Sequence, residues 1–289
     1  MVKLHNKFGL IGHPIAHSLS PALFKAGYDG RYPYELIETA DFEEAYQRFL
    51  DGYDGINVTA PFKELAFAKA DILSPECRTI GATNLLVKTP EGVKAYNSDY
   101  LGVRMWLSDV AVGLKSVLPP WPQGEGPTTK EWEGFFSNPL PHPKACKALI
   151  VGLGGAGKAA AAAAESLGME VIRMNRTIKD DMTRPLDDFK DCFREADIII
   201  YNIPSAIPQL AELTEEDFRG GRSSVRPKFI LEANYKDPSF HKELIIKMKE
   251  ANPLSAYTSG RTWLLNQALT GYEIFTGEKP DLDRMSDVL

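Results

Sequence analysis

The sequence GLGGAG, at residues 152–157, has residue types and a spacing that could hold a phosphate. It follows the apolar run 148–151 and precedes the alanine-rich run 158–167, so the order is strand, glycine turn and helix. Glycines in such a turn permit the tight bend, let backbone N–H groups approach a pyrophosphate, and let the helix pack close to the sheet. We therefore predict dinucleotide binding here, against the simpler interpretation of a tight structural turn. The candidate cofactor-binding residues of the turn are Gly152, Gly154, Gly155, Ala156 and Gly157.

The next predicted strand, residues 170–174, ends in three further candidate cofactor-binding residues, Asn175, Arg176 and Thr177. An NAD site usually has Asp or Glu at this place to bind the ribose 2′-hydroxyl, whereas a guanidinium can pair with a 2′-phosphate. Arg176 therefore favours NADP (NADPH), with NAD as a possible alternative.

Polar residues in the first hundred positions follow predicted strands or flank a predicted hairpin. They are Ser18, Ser20, Thr59, Lys63, Asn84 and Asp99. Open α/β sheets bind ligands at the carboxyl ends of their strands, so the set as a whole indicates a ligand site. Each residue alone has a simpler interpretation: Ser20 and Asp99 as helix N-caps, and Lys63 as a solvated helix residue.

The elements that must position these residues alternate between strand and helix, which predicts an α/β fold with parallel sheets. In the first hundred residues we predict strands at 8–11, 34–37, 55–58, 85–88 and 93–96, and helices at 21–28, 41–50, 61–71 and 100–107. After the glycine unit we predict strands at 198–201, 229–231 and 254–257, and helices at 189–195, 240–251 and 261–275.

Composition limits the classes of partner. The 289 residues suit two domains, since single cores rarely grow beyond ~250 residues. A net charge of −6 gives no basic surface for nucleic acid, so a small-molecule substrate is expected. Three scattered cysteines indicate reduced thiols in a cytoplasmic protein and no metal site. The chain has no signal-peptide core and no apolar window near the ~18 residues that span a bilayer, so we predict no membrane partner.

The segments GHPIAHSLSP, GINVTAPFKE, IGATN, NSDYLG, GLGGAG and NRT occur in this order and strongly resemble the shikimate dehydrogenases. The resemblance implies that Ser18 and Ser20 hold the substrate carboxylate. It also places Thr59, Asn84 and Gln267 at the substrate, and makes Lys63 and Asp99 the catalytic pair. We further count Tyr235, which follows a predicted strand, as substrate-binding and Gly260, which begins a G-x-x-x-L-x-x-Q pattern, as cofactor-binding.

The chain departs from the family pattern at several places. Ser98 stands where the family usually has threonine, which keeps the hydroxyl. Phe24 and Lys25 replace a common histidine-asparagine pair, a change that should affect packing more than chemistry. Asp180 replaces a second arginine, leaving only Lys179 nearby for a 2′-phosphate. A stretch rich in proline and aromatic residues, at about 115–145, is read as an insertion that packs on the surface.

The resemblance implies two domains with the active site in the cleft between them. We expect a substrate-binding domain at 1–105, completed by 238–289, around an NADP-binding Rossmann domain at 106–237. The chain would be a monomer or homodimer.

The implied reaction is the reversible, NADP-dependent reduction of 3-dehydroshikimate to shikimate, in the shikimate pathway of aromatic amino acid biosynthesis. Because the ketone oxygen becomes an alkoxide when hydride reaches its carbon, a cationic donor is needed, and Lys63 beside Asp99 fits this requirement. Which of the two is the formal acid stays open.

Other functions are compatible with parts of this pattern. A quinate or dual quinate/shikimate dehydrogenase using NAD(P) would share the motifs. A methylenetetrahydrofolate-type dehydrogenase shares the two-domain plan and a lysine, but Ser18 and Ser20 argue against it. A non-catalytic dinucleotide sensor is disfavoured because both Lys63 and Asp99 are present.

Overall fold

The structure is a computed structural model that describes residues 6–116, 146–178, 180–219 and 227–289. The packing predicted for the insertion at about 115–145 and the role considered for Lys179 therefore lie outside the described residues, apart from residues 115–116.

The chain divides into two units: Met1–Val103 together with Arg261–Leu289, and Arg104–Gly260. The strands are β1 (Phe8–Gly12), β2 (Tyr34–Glu38), β3 (Gly55–Val58), β4 (Ile72–Leu73), β5 (Leu85–Thr89), β6 (Gly92–Tyr96), β7 (Lys147–Val151), β8 (Glu170–Met174), β9 (Thr183–Arg184), β10 (Ile198–Tyr201), β11 (Phe229–Glu232) and β12 (Ala256–Thr258).

The helices are numbered in chain order, along a chain that runs from the first unit into the second and back to the first. They are α1 (Ser20–Gly27), α2 (Phe42–Gly52), α3 (Lys63–Lys69), α4 (Pro75–Ile80), α5 (Ser98–Ser116), α6 (Gly155–Ser166), α7 (Phe189–Glu195), α8 (Pro208–Ala211), α9 (Glu215–Arg219), α10 (Lys242–Ala251), α11 (Gly260–Thr276) and α12 (Leu282–Ser286). None of the helices in the described part of the chain is long and apolar enough to cross a membrane.

The sheet of the first unit has the strand order β2-β1-β3-β5-β6-β4. β1 pairs in parallel with β2 and β3, but β5 is antiparallel to both β3 and β6. The prediction of parallel pairing is therefore confirmed for β1, β2 and β3, and the predicted hairpin is confirmed for β5 and β6, but the sheet as a whole is mixed. The cause is the β5–β6 hairpin, which inserts between β3 and β4 and reverses the chain without a crossover helix.

The sheet of the second unit is parallel throughout, in the order β12-β11-β10-β7-β8-β9. Its order reverses between β7 and β10, which is the switch point where such sheets bind ligands. β12 pairs with β11, so residues 238–260, which we expected with the first unit, belong by their contacts to the second.

Each unit has its own apolar core. In the first, Phe24 is fully buried and its ring lies 4.8 Å from the rings of Tyr34 and Tyr272. The position that departs from the family pattern is thus filled by an aromatic side chain in the core, as expected. In the second, the alanines of α6 are buried, and their small side chains let this helix lie against the sheet.

Candidate active site

Lys63 and Asp99 form a hydrogen-bonded ion pair in the first unit. Lys63 begins α3 shortly after β3 ends, and Asp99 lies in the first turn of α5 after β6. The ammonium Nζ of Lys63 donates to Oδ2 of Asp99, and the two side chains are 20% and 14% exposed. An ammonium held by a carboxylate and still open to solvent can meet a ligand oxygen.

Neither of the simpler interpretations of this pair holds. Asp99 is not the N-cap of α5, because Asn97 accepts the hydrogen bond from the backbone N–H of Tyr100. The backbone carbonyl of Asp99 instead accepts from Nε1 of Trp263, which ties α5 to α11. Lys63 is largely covered and paired, unlike a solvated helix lysine.

Asn84 and Gln267 are joined through Ser98. The amide of Asn84 donates to the Ser98 hydroxyl over 3.0 Å and accepts from the Ser98 backbone N–H over 2.7 Å. The same hydroxyl lies 3.1 Å from Oε1 of Gln267 and donates to it. Gly102 makes this possible, because a Cβ there would lie 2.7 Å from the Gln267 backbone nitrogen. Two predicted substrate residues from distant parts of the chain therefore meet at one serine.

Thr59 lies at the end of β3, beside this network. Its backbone N–H donates to the carbonyl of Ile11, and its methyl group would lie 2.4 Å from a Cβ at Gly12. The backbone N–H of Val58 donates to the carbonyl of Asn84, so β3 ends beside the start of the antiparallel strand β5. Thr59 follows β3 and Asn84 precedes the β5–β6 hairpin, so both lie at this edge of the sheet.

Ser18 and Ser20 lie at the amino end of α1. The Ser18 hydroxyl donates to the Ser20 hydroxyl over 3.1 Å and accepts from the Ser20 backbone N–H over 3.2 Å. The interpretation of Ser20 as an N-cap is wrong: Leu19 is the cap, and its side chain makes no cap hydrogen bond. The helix starts one residue earlier than predicted and Pro21 is its second residue, where the missing backbone N–H costs no intrahelical hydrogen bond. Two hydroxyls at a helix amino end suit a carboxylate.

Two tyrosines lie beside Ser20: Tyr272, which is buried, and Tyr34, which is half-buried. Tyr272 donates to the carbonyl of Ser20 over 3.1 Å, and Tyr34 donates to Oδ1 of Asn57 over 2.7 Å. Burial raises the pKa of both Tyr34 and Tyr272, and a hydrogen bond with Ser20 lowers each pKa in part. Both hydroxyls therefore stay neutral near pH 7 and act as hydrogen-bonding groups.

The glycine turn of the second unit has the geometry that a pyrophosphate requires. Gly152 has φ of +91°, and a Cβ on Gly157 would lie 1.8 Å from the carbonyl oxygen of Gly152. A Cβ on Gly154 would meet nothing within 4 Å, and no side chain caps the amino end of α6. The first N–H groups of α6 are therefore open toward an anion, and the residues present fit a dinucleotide.

The end of β8 combines an internally bonded residue with exposed ones. The Asn175 side chain accepts from the backbone N–H of Leu153 and donates to the carbonyl of Thr177, so it holds the glycine turn against the strand end. Arg176 and Thr177 are exposed. Asp180 accepts from the hydroxyl of Thr183, which fixes its carboxylate in a local turn.

Tyr235 and Gly260, the last two predicted site residues, belong to the second unit. Tyr235 is half-buried in the segment after β11. A Cβ on Gly260 would lie 2.3 Å from the carbonyl oxygen of Ala233, so only glycine fits where α11 begins beside the end of β11.

Two residues that the structure brings into the site have no assigned role from their motifs alone. Ser98 was noted only as a departure, yet it links Asn84 to Gln267. Tyr34 begins a strand and looked like an ordinary core residue, but it hydrogen-bonds beside Ser20. Ser98 could be found from the pattern of polar residues that follow strands. Tyr34 could not, because nothing in the spacing of a tyrosine shows that its hydroxyl will reach a binding site.

Comparisons with known proteins agree with this division of the chain. The family description "Shikimate dehydrogenase substrate binding domain" matches residues 10–86, and "D-isomer specific 2-hydroxyacid dehydrogenase, NAD binding domain" matches residues 128–218. A shikimate dehydrogenase (NADP(+)) from Thermus thermophilus is 27% identical over 304 residues, covering 97% of this chain and 96% of the relative.

Solved structures of dehydrogenases also align with nearly the whole chain. A shikimate 5-dehydrogenase from Thermus thermophilus, in complex with shikimate, aligns with TM-score 0.66 and 25% identity over 99% of this chain and 97% of its own. A quinate dehydrogenase from Corynebacterium glutamicum, in complex with NAD, aligns with TM-score 0.71 over 98% of this chain and 97% of its own. At 20% identity the second likeness shows the fold alone.

Proposed function

We infer that this chain, which belongs to the shikimate dehydrogenase family, catalyses the reversible NADP-dependent reduction of 3-dehydroshikimate to shikimate. The observation that carries the proposal is the Lys63–Asp99 pair beside the Asn84–Ser98–Gln267 network. The ammonium of Lys63, held by a carboxylate, can stabilise the charge that develops on a ketone oxygen. The two amides can hydrogen-bond to the hydroxyl groups of a ring.

We propose that the substrate carboxylate binds Ser18 and Ser20 at the amino end of α1. On binding, the Ser18 hydroxyl gives up its bond to Ser20 and both hydroxyls donate to the carboxylate. Tyr272 keeps its bond to the Ser20 carbonyl, so the backbone of this turn stays in place. The carboxylate then fixes one end of the ring.

We propose that Asn84, Gln267 and Thr59 bind the ring hydroxyls, and that Lys63 and Asp99 act at the carbonyl oxygen. NADPH, when bound, supplies the hydride. The Lys63 ammonium donates to the carbonyl oxygen and stabilises the charge that develops there, while Asp99 holds the ammonium in position. The pair gives a proton to this oxygen during reduction and takes the proton from the hydroxyl when the reaction runs toward 3-dehydroshikimate.

We propose that the cofactor pyrophosphate binds the glycine turn at the amino end of α6, with Asn175 holding that turn. Arg176 would pair with the 2′-phosphate and Thr177 would lie beside it. Gly260 and Tyr235, next to the end of β11, would complete the cofactor and substrate contacts, respectively.

The proposal is tested by following NADPH consumption with purified protein and 3-dehydroshikimate. Parallel reactions in the oxidative direction with shikimate and with quinate, each with NADP and NAD, separate this function from a quinate dehydrogenase. We expect kcat/KM to be highest for shikimate with NADP. Absence of turnover with both ring substrates would refute the proposal and leave dinucleotide binding without this chemistry.

Two finer points are also proposals. We place the enzyme in the cytoplasm, where its three cysteines would stay as thiols. We also propose a monomer or homodimer, which light scattering on the purified protein would decide.

A further inference from the structure

Glu232 is a fully buried carboxylate at the end of β11, and neither the family motifs nor the proposed chemistry uses it. No ion pair of Glu232 is found among the residues that the structure describes. Since burying an isolated carboxylate is costly, its hydrogen bonds must compensate, and their geometry indicates what the residue does.

Three donors reach Glu232, and two of them come from one short segment. Its Oε1 accepts from the backbone N–H of Ser239, and its Oε2 accepts from the backbone N–H of Phe240 over 3.2 Å. The hydroxyl of Tyr257, on β12, donates to the same Oε2 over 2.8 Å. The pKa of Tyr257 is raised by burial and then by this hydrogen bond, so the tyrosine remains a donor. The carboxylate thus closes the segment 233–240 into a loop.

The other end of this loop is fixed as well. The Ala233 backbone N–H donates to the carbonyl of Tyr201 over 2.8 Å. The Asn234 amide donates to the carbonyls of Pro204 and Asp237, and its oxygen accepts from two backbone N–H groups of the loop. A Cβ on Gly260 would lie 2.3 Å from the Ala233 carbonyl oxygen, so the first residue of α11 lies directly against the start of the loop.

We propose that Glu232 is a positioning residue, which holds the loop 233–240 so that Tyr235 meets the substrate. This rests on the proposed function, because Tyr235 takes its role from it. A carboxylate suits the task better than an amide, since it offers acceptors to both backbone N–H groups, whereas a glutamine would turn its NH2 group toward one of them.

The test compares Glu232→Gln with Tyr257→Phe. The glutamine keeps the volume but loses one acceptor, and the phenylalanine removes only the tyrosine donor and leaves both backbone bonds of Glu232. We expect Glu232→Gln to lower kcat/KM for 3-dehydroshikimate about tenfold, the effect of one lost hydrogen bond to a charged group, with the Kd for NADPH unchanged. Tyr257→Phe should stay within about threefold of wild type.

Trypsin provides a readout that does not depend on the substrate, because Lys236 lies in the loop and a looser loop is cut faster after it. We expect faster cleavage there in Glu232→Gln and in Asn234→Ala, which loosens the loop from its other end and serves as the second variant should Glu232→Gln not fold. Unchanged cleavage would overturn the proposal.

If the wild type turns over no ring substrate, the proposed function fails while the cleavage rates still decide whether Glu232 holds the loop.

A double-mutant cycle separates positioning from general stability. In a Tyr235→Phe background, Glu232→Gln should cost much less than in the wild type, because both changes remove the same substrate contact. Additive losses in kcat/KM would mean that Glu232 does not act through Tyr235, and the proposal would be wrong.

Discussion

The two proposed binding regions differ in how their side chains are held. In the first unit, Asn84, Ser98 and Gln267 are bonded to one another, and Lys63 is bonded to Asp99. In the second, the proposed ligand contacts are backbone N–H groups at the uncapped start of α6 and the exposed side chain of Arg176. The contrast suggests that substrate choice depends on preorganised side chains and cofactor choice on a few exposed charges. Changes in the first region should therefore have larger effects than changes in the second.

The largest effect is expected from Lys63→Ala. Removing the ammonium takes away the group that stabilises the developing alkoxide, so kcat should fall by about 10²-fold or more, with little change in the Kd for NADPH. Asp99→Asn, which keeps the size but not the charge, should be similarly harmful. Lys69→Ala is the matched control, because Lys69 lies on the same helix and pairs with exposed Glu43. Near wild-type kcat in Lys63→Ala would remove the pair from the mechanism.

The carboxylate site should respond in KM rather than in kcat. Ser18→Ala and Ser20→Ala each remove a hydrogen bond to the substrate carboxylate, and such a bond to a charged group is worth about 1.5–3 kcal/mol. The carboxylate is bound equally in the ground state and the transition state, so its loss affects binding and not the chemical step. Steady-state kinetics with shikimate should show KM raised by roughly 10- to 100-fold in each variant. If KM stays at the wild-type value in both, the carboxylate binds elsewhere.

The glycine turn offers a matched pair of alanine substitutions in the second region. Gly157→Ala places a methyl group against the Gly152 carbonyl, so overpacking should cost about 1–3 kcal/mol and weaken NADPH binding to a similar degree. In Gly154→Ala the added methyl group has no atom within 4 Å, so the free energy of unfolding should stay near the wild-type value. Calorimetry and thermal unfolding measure both. Equal effects of the two variants on Tm would show that the crowding at Gly157 is not what requires glycine there.

Much of the fold was predictable because it follows from local pattern. The bounds of β3, β8, β10 and α7 were predicted to the residue, since each is a clear apolar run or amphipathic turn. β4 and α4 were missed because a two-residue strand and a six-residue helix carry too little periodicity.

The site was predictable only where chemistry coincides with a motif. Lys63 and Asp99 could be paired by resemblance, whereas the bond between Ser98 and Gln267 spans 169 positions and depends on Gly102 letting two helices touch. The donors to Glu232 are likewise backbone N–H groups of a folded loop. Contacts of this kind depend on packing, which a single sequence does not display.

Cofactor choice should depend on one exposed cation. Arg176→Ala should erase most of the preference for NADP over NAD, a change of about tenfold in the ratio of kcat/KM values, because a guanidinium–phosphate pair is a charge-assisted bond. Arg184→Ala removes the same charge from the nearby strand β9 and is the control. The proposed phosphate site would be excluded if the two variants lowered the ratio equally, or if Arg176→Ala left it unchanged.

The smallest effect concerns Asp180, whose negative charge follows Arg176 by four positions. Asp180→Asn keeps an acceptor for the backbone N–H of Met182 and the hydroxyl of Thr183, so it removes only the charge. Asp180→Arg adds a cation but also loses this turn. Since exposed charge pairs are worth about 0.2–1 kcal/mol, Asn should raise the NADP/NAD ratio of kcat/KM by up to about fivefold, and Arg somewhat more. Both gains should shrink in high salt, because screening weakens exposed charges first. A ratio that does not move in either variant would mean that the Asp180 carboxylate, held in its own turn, does not act on the 2′-phosphate, and that Arg176 alone sets the preference.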